Sequence, residues 1–160
     1  MPEFSYIMAS LPAEFYEELN KIRDSIPKSF IIDIEDYYHT TLLYGIHSKD
    51  VDQIVDVVKK ILHVLPNLSG KFGKITKFPE GKDGYPIKFD VISESFKAFN
   101  YLLRANLEYT NKFEYSPHVT LAYVDGSERL SLKNTLHNKE FNISEIRVSL
   151  PDKSYITLDV

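Results

Sequence analysis

The sequence contains no cysteine and no tryptophan in its 160 residues. Without cysteine there are no disulfides, no thiolate nucleophile and no zinc or iron–sulfur site built on thiolates, which fits a reducing compartment. No stretch approaches the roughly 18 apolar residues of a membrane-spanning helix. The opening Met1-Pro2-Glu3-Phe4 lacks the cationic segment and apolar run of a secretory signal. The cytoplasm is therefore the expected location, and no membrane partner is expected. Basic charge is scarce too: 19 Lys and Arg against 23 Asp and Glu leave a net charge of -4. That excludes the broad positive surface needed by a long nucleic acid, but not one small anion in a locally basic pocket. There is no low-complexity segment and no long run of charge.

What is present is ordinary for a soluble globular chain, with 43% apolar and 26% charged residues. A chain of this length buries roughly two thirds of its unfolded surface, enough for a core. It fits one domain, residues 1–160, made of two small halves; a monomer is the default expectation. Eleven tyrosines and ten phenylalanines make it rich in aromatic rings.

Apolar spacing predicts the elements in turn. Tyr6 to Ala9 reads as a strand, and a helix follows from Ala13 to Ile26 with Phe15, Leu19, Ile22 and Ile26 on one stripe. Phe30 to Ile34 and Tyr38 to Tyr44 read as strands. Asp50 to Leu65 is the clearest helix, capped by Ser48 or Asp50 and stopped by Pro66. Lys71 to Phe78 reads as a strand and 80–84 as an exposed turn. Ile87 to Ile92 is a strand, Glu94 to Glu108 a helix, Tyr115 to Val124 a strand, and Ser127 to Leu136 a short helix. Ile143 to Leu150 and Tyr155 to Val160 form a closing hairpin around 151–153. Helices interleave with strands, but several strands follow one another directly, so the expected class is α+β with antiparallel sheets.

One hexapeptide occurs twice: His39-Thr40-Thr41-Leu42-Leu43-Tyr44 and His118-Val119-Thr120-Leu121-Ala122-Tyr123. The copies share His, Thr, Leu and Tyr and start 118 − 39 = 79 residues apart, about half the chain. This is the pattern of a pseudo-twofold duplication. In a strand, side chains alternate faces, so His39 and Thr41 share one face, as do His118 and Thr120. Leu42 and Tyr44, like Leu121 and Tyr123, are expected on the opposite face under the helices. If the pseudo-twofold brings the strands together, two imidazoles and two hydroxyls meet in one cleft. A neutral imidazole there takes a proton from an attacking hydroxyl, and a protonated one gives a proton to the leaving oxygen. The threonine hydroxyls stabilise the charge on non-bridging phosphate oxygens. This chemistry needs no metal or cofactor, and its symmetry leaves open which histidine is acid and which is base. A lone His-x-Thr would mean little; the matched pair is what points to a site. His47, His63 and His137 read as solvated loop or surface residues.

With these two motifs the sequence resembles the 2H phosphoesterase superfamily, named for two His-x-Thr/Ser-hydrophobic motifs. The resemblance covers the whole chain. It implies a bilobal LigT-like fold with a central cleft between two antiparallel sheets. It also implies metal-independent cleavage or ligation of phosphodiesters in small nucleotides or RNA ends. Among the branches, the length and the segment Tyr115 to Tyr123 are most similar to compact phage enzymes that open 3′,5′-linked cyclic di- and trinucleotide messengers of CBASS defence. Other branches act on 2′,5′-oligoadenylate or on RNA with 2′,3′-cyclic phosphate ends.

A nucleotide also needs cations for phosphate and flat surfaces for bases. Lys71, Lys74, Lys77 and Lys82 put positive charge in the glycine-bearing segment 70–84. Tyr6, Phe78, Tyr85, Tyr115 and Tyr155 are candidate stacking platforms. From the closing hairpin Glu145 is a candidate acceptor for a base edge and Lys153 a candidate phosphate contact, with Arg147 between them. An ordinary solvated hairpin or charged exposed face is the alternative reading for these charges. The same cleft also suits a protein that sequesters a nucleotide without turning it over.

Overall fold

The computed structural model describes residues 4–78, 84–111, 113–125 and 130–160. Nine strands and three α-helices are found among them. In chain order they are β1 (Ser5–Ser10), α1 (Tyr16–Asp24), β2 (Ile31–Ile34), β3 (His39–Ile46), α2 (Val51–Val64), β4 (Ser69–Lys77), β5 (Tyr85–Ile92), α3 (Glu94–Asn106), β6 (His118–Val124), β7 (Glu140–Asn142), β8 (Glu145–Ser149) and β9 (Tyr155–Asp159). The strands form two sheets, in the orders β3-β1-β8-β9 and β2-β6-β5-β4-β7. Every named pairing is antiparallel, so the α+β expectation holds. The motif strands β3 and β6 adjoin where the two sheets meet.

Two of the three described α-helices start on a capping side chain. Asp50 accepts from the backbone N–H groups of Asp52 and Gln53 at the start of α2, and Ser93 accepts from Phe96 at the start of α3. Such caps contribute about 1 kcal/mol each. Helix α3 packs on β3 and β4, α2 on α3 and β8, and α1 on β6. The stripes they bury join one core, in which Phe15, Phe72, Phe89, Phe96 and Phe141 meet as mostly edge-on or tilted rings.

Two expectations fail. The stretch 127–136 forms no helix among its described residues, 130–136; its residues 127–129 lie outside them. Asn134 instead donates to the Gly73 carbonyl (2.9 Å) and accepts from Leu136 N (3.1 Å), so its amide competes with helix formation. The chain then turns through Asn138, in the left-handed region at φ 66°. It runs directly into β7, a strand unforeseen because three residues with one buried phenylalanine carry almost no pattern. The last motif strand also begins at His118, not at Tyr115. Most of the expected turn, residues 80–83, lies outside the described residues, as does Lys82.

Candidate active site

The backbone carries the duplication further than the hexapeptides do. On β3, Thr41 pairs with Met8 and Leu43 with Ile7, leaving Leu42 as an extra residue. On β6, Thr120 pairs with Lys88 and Ala122 with Ile87, leaving Leu121 as the extra residue. A one-residue bulge therefore follows each His-x-Thr at the shared leucine. A bulge exchanges the faces of all residues beyond it. Both leucines are fully buried, while Tyr44 turns into the cleft, 47% exposed, with its ring 5.8 Å from that of Tyr6. The expectation that Tyr44 lies under the helices is thus overturned by the bulge. Gly45, at φ 80°, continues the irregular course with a conformation that disfavours any side chain.

The two histidines are held alike. His39 Nδ1 lies 2.8 Å from the Tyr37 carbonyl and His118 Nδ1 2.8 Å from the Ser116 carbonyl. A carbonyl only accepts, so each Nδ1 carries the proton and each Nε2 is left for chemistry. Their surroundings differ. The Tyr37 ring stacks on His39 at 5.1 Å and 14°. Glu145 holds that tyrosine through Ser10, whose hydroxyl donates to the carboxylate (2.7 Å) and contacts the Tyr37 hydroxyl. His118 meets Phe78 edge-on at 4.8 Å and 88°. Lys88 is 5% exposed, lies across the Phe78 ring and pairs with Asp90 and Thr76. Burial, then the charges of Lys88 and His39, hold the His118 pKa below the usual histidine range, with the Ser116 and Asp90 contacts opposing.

The cleft opens into two cavities that share Thr41 and Tyr44. The one beside His118, about 500 Å³, is walled largely by apolar groups, including Phe78, Phe113 and Tyr115. The one beside His39, about 740 Å³, is walled by Tyr6, Tyr37, Arg147, Lys153 and Tyr155 among others. Thr120 is half-buried on the face of His118, across from Lys88.

The other sequence candidates separate accordingly. Tyr6, Lys153 and Tyr155 line the His39 cavity, and Phe78 and Tyr115 the His118 cavity. Tyr115 spends its hydroxyl on the Thr41 carbonyl (2.9 Å). Glu145 is engaged with Ser10 and lines neither cavity. Lys74 is exposed on β4, away from both, Lys77 lies over the Tyr85 ring, and Lys71 borders a separate groove. His47 and His63 are exposed; His47 stacks on Phe4, and His137 lies near the Gly73 carbonyl. Sequence reasoning missed Tyr37 and Ser116. Extending the two-residue alternation backwards from each histidine would have found both.

No protein-family model and no curated protein matches the sequence. Solved structures do match over nearly the whole chain. TT0787 of Thermus thermophilus is 18% identical, with a TM-score of 0.69 over 98% of this chain and 95% of that one. LigT of E. coli complexed with 3′-AMP is 13% identical, with a TM-score of 0.63 over 100% and 96%. Usb1 of Kluyveromyces marxianus is 8% identical, with a TM-score of 0.64 over 99% and 98%. At these identities the likeness speaks for the fold alone: two antiparallel sheets about a cleft, flanked by helices, in the LigT-like arrangement.

Proposed function

We propose that the chain is a metal-independent phosphodiesterase that cleaves 3′,5′ bonds in a cyclic di- or trinucleotide messenger, in the role of a phage counter-defence enzyme. The observation that carries the chemistry is the matched pair of imidazoles. Each has Nδ1 tied to the carbonyl two residues earlier and Nε2 free, and a threonine follows on the same face. The reading is supported by a cleft of nucleotide size with an apolar side for a base. The substrate class and biological role rest on the sequence resemblance.

In this mechanism a ribose 2′-OH attacks the adjacent phosphorus while one imidazole takes its proton. The P–O5′ bond breaks, the other, protonated imidazole hands its proton to the departing 5′ oxygen, and the product carries a 2′,3′-cyclic phosphate. Thr41 and Thr120 donate to the non-bridging oxygens. Since its surroundings favour the neutral ring, His118 is assigned the base and His39 the acid. The test is a panel of cyclic di- and trinucleotides, 2′,5′-oligoadenylate and RNA with 2′,3′-cyclic phosphate ends, incubated with EDTA and read by mass spectrometry. Opening of a cyclic oligonucleotide is expected. Recovery of every substrate intact would point to a sequestering protein, and loss of activity in EDTA would overturn the metal-free mechanism.

A further inference from the structure

We propose that Arg147, with Lys153, forms a second phosphate subsite on the His39 side of the cleft; this rests on the phosphodiesterase reading and narrows it to substrates with a second phosphate. Arg147 on β8 pairs with Met8 of β1, whose own partner across the sheet is Thr41. Its guanidinium lies 3.9 Å from the Tyr37 ring centre and 3.9 Å from that of Tyr155. The guanidinium thus lies against both tyrosine rings at the cavity wall, and its planar N–H fork suits phosphate oxygens. Its Nε is buried without a hydrogen-bond partner, and no carboxylate forms an ion pair with Arg147 among the described residues. A buried donor of a fixed cation is costly unless something accepts from it.

Lys153 lines the same cavity from the β8–β9 turn. It adopts φ 71°, a conformation few lysines take. The turn is fixed by Lys153 N to the Leu150 carbonyl (3.0 Å) and by Leu150 N to the Ser154 carbonyl (2.9 Å). The wall also includes one carboxylate, Glu35, whose Oε1 accepts from Tyr123 (3.1 Å). Among the described residues, the wall of the cavity beside His118 has no Lys or Arg. One side of the cleft thus suits a base and the other an anion. A cyclic dinucleotide supplies a second phosphate by its construction, whereas a mononucleoside 2′,3′-cyclic phosphate does not.

The test compares three 3′,5′-linked diadenosine substrates: unphosphorylated, 5′-phosphorylated and 3′-phosphorylated. We expect one phosphorylated form to be cleaved with a kcat/KM about ten- to a hundredfold above the unphosphorylated one, the range given by charge-assisted hydrogen bonds. Arg147→Gln should reduce that ratio to near one, and Lys153→Gln should reduce it by less. Which form is favoured shows which nucleoside occupies the His39 side. Equal cleavage of all three by the unaltered protein, or a ratio that survives both substitutions, would overturn the subsite. If none is cleaved and the cyclic oligonucleotides are also left intact, the phosphodiesterase reading falls instead. Calorimetry of the same probes on the His118→Ala protein, with and without Arg147→Gln, then decides the subsite separately. Tighter binding of a phosphorylated probe that Arg147→Gln removes supports it; equal binding of all three rejects it.

Discussion

The same six-residue pattern lies at the edge of one sheet and in the interior of the other. In both places the bulge at the shared leucine leaves a carbonyl that the regular ladder does not take up. On β6 the Leu121 carbonyl accepts from the backbone N–H of Glu35 (3.2 Å), just past β2, the outer strand beside it. On β3, which ends its sheet, no such strand is found among the described residues. There the Leu42 carbonyl accepts from the side chain of the buried Asn100 on α3 (2.6 Å), and Tyr115 secures the neighbouring Thr41 carbonyl. Two matching motif geometries are thus supported by backbone on β6 and by side chains on β3. The bulged backbone shape recurs in both motifs, while their surroundings differ. In the proposed mechanism, that divergence is what gives two like histidines unlike roles.

The most severe way to break the pairing is to remove either imidazole. His118→Ala and His39→Ala should each reduce kcat on the order of 10²–10⁴-fold. The double variant should be little worse than either single one, because groups acting as a unit are not additive. Single-turnover rates on the best substrate, with circular dichroism to confirm folding, decide this. A folded His118→Ala protein of full activity would end the mechanism. Next in size are Thr41→Val and Thr120→Val. Each deletes one donor to the phosphate and should reduce kcat about 10²–10³-fold, as loss of an oxyanion donor does elsewhere. If one of the two leaves kcat intact, the threonines do not share the phosphate.

How much of this was legible in sequence follows from the range of each signal. The helices and most strands were readable, because period and capping are local: Asp50 caps α2 and Ser93 caps α3. The motifs were readable because a repeated hexapeptide needs no fold to be seen. Tyr44 was placed on the wrong face because alternation assumes an unbroken ladder, and the bulge at Leu42 is set by its pairing with the distant β1. The lysines of 70–84 suggest a phosphate site by charge alone, yet the cation that reaches the cavity wall between two tyrosines is Arg147. Its surroundings come from Tyr37 and Tyr155, segments that only the sheet brings together.

The unequal surroundings of the histidines give a smaller and sharper test. His118 is held below its usual pKa by burial and then by the charges of Lys88 and His39. Its neutral form is therefore kept to lower pH than that of an unperturbed histidine, and the acid limb of kcat/KM should lie below pH ~6.5. Lys88→Met removes a repelling cation and leaves Asp90 unpaired nearby, so protonation becomes easier and the acid limb should move to higher pH. The rate on the acid limb should fall relative to that on the plateau. An unmoved limb in a folded Lys88→Met protein would show that His118 is not the group that must be neutral.

The smallest expected effects separate the edge motif from the interior one. Asn100→Leu leaves the Leu42 carbonyl buried without a partner and should cost about 1–3 kcal/mol of stability. Tyr115→Phe deletes one neutral hydrogen bond, worth about 0.5–1.5 kcal/mol, or a Tm decrease of roughly 2–4 °C per kcal/mol for a chain of this size. Each substitution removes a hydrogen bond to a β3 carbonyl, and neither hydrogen bond involves β6. The carbonyls they release belong to Thr41 and Leu42, so any loss of activity should resemble a mild Thr41→Val and leave the His118-dependent acid limb where it was. Thermal unfolding gives the stability and the pH profile gives the side of the cleft. A shifted acid limb in Tyr115→Phe would mean that the two lobes are coupled through the Tyr115 segment, which runs straight into His118, and that the edge motif does not stand on its own.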